Sequence, residues 1–374
     1  MRMVRRYLYL KPNEEINTMS RIVTQSKLNE LTGMNIDYRK GGYCPHYHTI
    51  ISLWGGVVAS SNYQPNQLVK EEDIVVDKDL FLINAETGSL YFAGGGTYAQ
   101  IPAIDGHEDF MYIAGGGEAI GALSMLGGLY VVNQSTKQWE LKYKDTVRAY
   151  DYAHLARFST GWVFYKEARG DGKNYVIIVY DNGTTKELSV VSNVYSISTG
   201  PYNYCCVGVL YQGGARIYTF LATSAPDSLT YYTPGMFTPN AVIQGDYALP
   251  RGIVYSTTSN YTYFSANPTG TQWTAATTRP QLTALTKGLY ANAEFMLIGG
   301  NMKSVSTDGG QNWTTSTLGA YTLTDLIYVD SNWYAIGSNG TKRLLLQNTA
   351  STFDQSNKIL DLPDHSKQVI KINT

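Results

Sequence analysis

Apolar, β-branched and aromatic residues fall along this chain in short runs, each ended by a cluster of Gly, Asn, Asp or Ser. Asp325 to Val329 reads as one strand; a short turn follows, and Trp333 to Gly337 reads as the next. Phe295 to Gly300 is an apolar strand, and a second short strand after it ends near Val305. Runs of this kind, bounded by turn residues, are the signature of strands rather than helices. Comparable turns start near residues 84, 133, 181, 224, 265, 306 and 348, in steps of 49, 48, 43, 41, 41 and 42 residues.

That period is the length of one four-stranded propeller blade. The chain is therefore read as all-β, a seven-bladed β-propeller, with six or eight blades as alternatives because the faintest turns set the count. The units run over about 46–100, 101–145, 146–193, 194–236, 237–279, 280–319 and 320–363. A propeller must close its ring, because an unpaired strand edge invites aggregation. Gln368 to Ile372 alternates and β-branches well enough to supply the closing strand, with Arg6 to Leu10 as the competitor. Residues 46–374 are assigned to the propeller and residues 1–45 to a non-repeat N-terminal arm. In that arm Ser20 is expected to cap a short helix carrying Ile22, Val23, Leu28 and Leu31, stopped by Gly33. The arm is read either as a plug against the ring or as an attachment device for a partner.

The most informative turn is Ser306-Thr307-Asp308-Gly309-Gly310-Gln311-Asn312-Trp313. An Asp opening a turn accepts from turn N–H groups, Gly supplies a positive φ, and Trp packs back between sheets. The pattern resembles the Asp box, S-x-D-x-G-x-T-W, with Asn312 in the Thr position. Its structural residues here are Ser306, Asp308, Gly310 and Trp313. A weaker copy, Asn84, Glu86, Gly88 and Tyr91, keeps the order polar, acid, glycine, aromatic. Ser265 to Trp273, Asn133 to Trp139, Asp181 to Gly183, Ser224 to Tyr232 and Asn348 to Phe353 are fainter still.

Resemblance to Asp-box (BNR, sialidase-like) propellers implies that these boxes sit on outer hairpins, away from any substrate face. It also raises a sialidase-like glycoside hydrolase acting on surface polysaccharide. Sialidases clamp a carboxylate with three arginines, the first usually in an F/Y-R-I-P motif before the first box. This chain has no such motif, and no arginine between Lys40 and Val147. The echoes at Pro250-Arg251-Gly252 and Arg279-Pro280 come late and in the wrong order. The non-enzymatic reading is therefore preferred, with the hydrolase as the alternative.

Composition narrows the partners. A formal net charge of -1 with 16% charged residues leaves no basic field for nucleic acid. No apolar run approaches the roughly 20 residues of a membrane span, so no membrane insertion is expected. The N-terminus, MRMVRRYLYLKPNEE, lacks a small-residue cleavage site, so no signal-peptide export is expected. The 36 Gly and 31 Tyr suit tight turns and a surface that works by aromatic and hydroxyl contacts. Cys205 and Cys206 are adjacent, so on a strand they point to opposite faces; with Cys44 they make no disulfide framework.

Three groups could carry binding. Tyr150, Asp151, Tyr152 and His154 form the densest polar-aromatic stretch; strict alternation puts Arg148, Tyr150, Tyr152 and His154 on one face and Asp151 on the other. Tyr231 and Tyr232 offer rings that stack on sugars or pack on protein. Cys44, His46 and His48 align on one face of an extended strand and are candidate metal ligands, a three-fold oligomer supplying the rest. The competing reading of each is structural: a polar strand with stacked aromatics, filling between blades, and a satisfied strand edge. No cofactor and no catalytic residue is assigned.

The favoured function is a non-enzymatic virion component, associated with a phage tail or capsid. It would bind other virion or assembly proteins through its arm, within a symmetric oligomer, and present the propeller to a host-surface glycan or protein. Its expected location is the virion, made in the host cytoplasm, with an extracellular protein as the alternative. A third reading is an assembly chaperone, as some Asp-box propellers assist photosystem assembly. A basic patch is expected there, and none is obvious in this sequence.

Overall fold

The computed structural model describes residues 49–52, 57–59, 80–94, 97–101, 110–116, 119–133, 138–145, 150–168, 174–200, 202–245, 252–257, 260–265 and 272–372. They fold into seven antiparallel sheets of four strands, beside one small hairpin of Thr49–Ser52 with Val57–Ala59. Six blades are continuous in the chain, over 110–144, 150–190, 194–235, 241–275, 287–317 and 322–362. The remaining blade is composite. Leu80–Ala85, Leu90–Gly94 and Thr97–Gln100 supply three strands, and Ser366–Ile372 from the far end of the chain supplies the first. In chain order we number the composite blade 1 and the blade at 322–362 blade 7.

Seven blades form a ring, and the tail strand read at Gln368 to Ile372 closes it. The first strands of the blades are Ser366–Ile372, Phe110–Gly116, Tyr150–Phe158, Val194–Thr199, Ala241–Gln244, Lys287–Ala291 and Thr322–Val329. Each neighbours the first strand of the next blade, and Thr322–Val329 comes back to Ser366–Ile372, so these strands line the centre. The unit read as 46–100 enters the ring only from Leu80 among the described residues. The competing strand at Arg6 to Leu10 and the helix expected after Ser20 lie outside them.

Packing explains the sequence pattern. Blades stack face against face, so second strands have neighbours on both sides and read as unbroken apolar runs rather than alternating ones. Glu294–Gly299 is buried at every position after Glu294. The described core is correspondingly not one cluster but seven, one at each seam between blades. At the closing seam Phe81, Ile83 and Ala93 of blade 1 pack on Tyr334, Ile336 and Leu345 of blade 7. Cys205 and Cys206 show the two-faced logic on one strand, since Cys205 joins the seam with blade 3 and Cys206 the seam with blade 5.

A first strand has one edge paired within its blade and one edge facing the centre. Its outward N–H groups need acceptors. Five first strands carry a β-bulge near their start, at Lys367, Met111, His154–Leu155, Tyr195 and Thr324. The extra residue re-aims the side chain that follows it. Gln368 thereby accepts from the Ile113 amide at 3.1 Å, Ser196 from Val242 at 3.1 Å, and Asp325 from Val369 at 2.7 Å. Each is a clasp from one blade to the next. Asp325 is buried, and its second oxygen takes the Lys287 ammonium, so a single carboxylate ties together three successive blades.

Candidate functional site

The turn at 306–313 joins the third and fourth strands of blade 6, an outer hairpin. The Asp308 carboxylate accepts from the Gln311 and Asn312 amides (3.1 and 2.9 Å), the Asn312 side chain (2.8 Å) and the Ser306 hydroxyl (2.8 Å). Burial raises its pKa, but these donors outweigh it and hold the carboxyl below its usual range. Gly310 has φ 97° and faces Ile253 of blade 5, a conformation and a space that exclude a side chain. Trp313 is buried; its indole N–H donates to the Gly310 carbonyl at 3.0 Å and its backbone N–H donates to the Thr278 hydroxyl at 2.7 Å. Asp308 thus braces the turn internally, while Gly310 and Trp313 fit it against blade 5.

The supposed first copy has another role. Asn84 to Tyr91 joins the second and third strands of its blade, whereas the six later turns join the third and fourth. Asn84 makes no turn contact; its amide donates to the Met111 carbonyl at 3.0 Å and to Gln368 at 3.2 Å, bridging blades. Glu86 lies 3.6 Å from His365, Gly88 turns the chain at φ 79°, and Tyr91 packs on Tyr98. Polar-acid-Gly-aromatic order is what any tight hairpin between packed strands selects, so the match arose from general turn chemistry.

Of the polar-aromatic stretch, the backbone of Tyr150, Asp151 and Tyr152 pairs with Ala168, Glu167 and Lys166 on the first strand of blade 3. Strict alternation fails at His154, which sits in the bulge with φ 60°. The imidazole is instead turned toward blade 4, where it donates to the Val194 carbonyl. Its ring lies 5.9 Å from Tyr112 of blade 2, and Lys367 of blade 1 holds its ammonium 5.6 Å from the same tyrosine ring. Desolvation takes the His154 pKa down to about 4, the Val194 bond opposes this, and Lys367 adds to the depression. Three bulged strands from three successive blades thus converge near the centre of the ring.

Tyr231 and Tyr232 lie on the outermost strand of blade 4, far from that centre in strand order, and are not brought together with His154. They face opposite seams. Tyr231 pairs with Tyr218, which packs toward blade 3, and Tyr232 pairs with Ile217, which packs toward blade 5. Beside Tyr231 the structure reveals a residue that sequence reading missed. The Arg216 guanidinium stands between the rings of Tyr211 (3.9 Å) and Tyr231 (4.1 Å), with Tyr218 edge-on to Tyr231 at 5.6 Å. Among the described residues no carboxylate reaches Arg216. Tyr231 is 41% exposed, and Met236, 73% exposed, lies over the adjoining Gly213–Gly214 turn.

Cys44, His46 and His48 lie outside the described residues, among which no cluster of three or more His, Cys, Asp or Glu could hold a metal. Cys205 and Cys206 are buried free thiols; desolvation pushes both up, Cys206 to about 12. Among the described residues no helix is long and apolar enough to cross a membrane. The described arginines do not converge on the centre: Arg157 forks onto Asp181 at 2.7 and 2.8 Å over Trp162, and Arg279 stacks on Tyr261.

The sequence matches no family model and no curated protein. Solved structures resemble it in shape. A structure of YCF48 bound to D1 peptide superposes with a TM-score of 0.51 at 12% identity, covering 74% of this chain and 91% of that one. A protein from Lactobacillus plantarum gives 0.53 at 12% identity, over 78% and 98%. A quinonprotein alcohol dehydrogenase-like protein from Bacteroides thetaiotaomicron gives 0.51 at 9%, over 79% and 78%. At these identities the likeness is one of fold, and the class it defines is the seven-bladed β-propeller.

Proposed function

We propose that this chain is a non-catalytic propeller that recognises a protein partner, gripping an acidic segment at the seam between blades 3 and 4. The observation that carries the reading is Arg216. A guanidinium fixed between two tyrosine rings has lost little freedom still to lose, and its donor fork matches a carboxylate in two parallel bonds. Exposed Tyr231 and Met236 beside it supply the apolar contact area that protein interfaces favour. A peptide on the similarly folded YCF48 is in keeping with a propeller used this way. The setting we propose is a virion or comparable assembly, supported by a charge-poor chain rich in Gly and Tyr; presentation to a host glycan belongs to the same proposal.

The test is an array of extended peptides and a glycan panel, probed with the full chain. Acidic peptides should bind, and Arg216→Lys should weaken them at least about ten-fold, since lysine cannot fork or stack as a plane. Binding that ignores Arg216→Lys, or hits confined to glycans, would refute this surface as the protein-recognition site.

A further inference from the structure

We propose that Lys367, Tyr112 and His154 form a second, independent binding site, for a small carboxylate that carries a hydroxyl or N–H donor beside it. Lys367 is half-buried on the ring-closing strand, and no carboxylate lies within ion-pair reach among the described residues. Other part-buried lysines have polar partners: Lys166 in Asp145 and Glu187, Lys186 in Asp227, Lys287 in Asp325, Lys371 in Asp330, and Lys303 in the carbonyl and hydroxyl of Ser351. An ammonium beside an aromatic face, with no carboxylate in reach, is open to an anion as its partner.

The neighbouring groups specify what that anion carries. His154 uses one ring nitrogen as a donor to the Val194 carbonyl. Its neutral imidazole therefore presents the other nitrogen as an acceptor. Tyr112 contributes a hydroxyl whose proton burial retains, and its only contacts among the described residues are through the ring. The site thus offers an ammonium, an O–H donor and a lone-pair acceptor, on first strands of three successive blades. Carboxylate oxygens take the two donors, and a hydroxyl or N–H next to the carboxylate gives its proton to His154.

Backbone geometry singles out the same place. His154 holds φ 60°, which costs free energy for a residue with a side chain. The bulge that imposes it takes His154 out of strict alternation and leaves its ring 5.9 Å from that of Tyr112. Since the ligand would contact blades 1, 2 and 3 at once, it would also fasten the strand that closes the ring, so binding would raise stability by mass action.

The experiment titrates the full chain with glycolate, following the His154 ring resonances and the thermal midpoint, with acetate, methyl glycolate and inorganic phosphate alongside. Glycolate should bind saturably in the millimolar range, shift the His154 signals and raise the midpoint. Acetate should bind several-fold more weakly, and methyl glycolate should not bind. Lys367→Met should abolish binding with the unliganded midpoint nearly unchanged, while Lys342→Met, at an exposed lysine, should leave it intact. His154→Asn, which tolerates the positive φ, should erase the preference for glycolate over acetate. Absence of saturable binding, indifference to Lys367→Met, or a preference for phosphate would each overturn the assignment.

Discussion

The Oδ2 atom of Asp325 lies 2.7 Å from the amide nitrogen of Val369, joining the last continuous blade to the strand that closes the ring. Its other oxygen holds Lys287 of blade 6. Asp325→Ala removes both acceptors and leaves an ammonium and a backbone N–H facing each other without partners. The expected loss is about 3 kcal/mol, at the lower end for a broken buried pair because Lys287 is partly solvated. Asp325→Asn keeps an acceptor for Val369 and should cost less than half as much. Urea unfolding midpoints for the two variants check this order.

Asp308 organises the outer turn that seats Trp313. Asp308→Ala strips four donors of their acceptor on a surface turn, for an expected loss of about 1–2 kcal/mol. Trp313 should then sample solvent, seen as a red shift in fluorescence that is absent from the parent. Asp308→Asn, which preserves one accepting oxygen, should fall between.

His154 makes stability depend on pH with a defined sign. Its folded pKa, about 4, lies below the ordinary imidazole value of 6.5. Between those values the unfolded chain binds a proton that the folded chain refuses, so stability falls as pH drops from 6.5 to 4. The loss is at most about 3 kcal/mol and is complete below the folded pKa. His154→Asn should flatten that part of the curve. Thermal midpoints measured between pH 7 and pH 4 for both proteins compare directly.

Burial raises the pKa of Cys205 and Cys206 and closes access to them. Thiolate is the reactive form, so neither should be alkylated by iodoacetamide in the native state at pH 8. Both should react once urea opens blade 4. Peptide mass analysis before and after denaturation reads the difference.

What could be read from residues alone divides along physical lines. Strand runs, turn spacing and the alternating tail at Gln368 to Ile372 are local patterns, and they gave seven blades and the closing strand. Asn84 to Tyr91 misled because turns between second and third strands choose the same residues as turns between third and fourth. His154 misled because a bulge breaks the two-residue period on which face assignments rest. Arg216 was invisible for a different reason. Its partners Tyr211 and Tyr231 flank it across two hairpins, and only strand register decides that the three share a face. Nor does the sequence show that the Tyr231 ring carries the Arg216 guanidinium on its face.

The claim on which the rest depends is that Ser366–Ile372 is an integral strand of blade 1, and amide hydrogen exchange tests it most directly. Peptides covering Leu80–Ala85 and Ser366–Ile372 should be protected to a similar degree and should lose protection together as denaturant is added. A tail that exchanges within seconds while Leu80–Ala85 stays protected would contradict ring closure by the C-terminal strand.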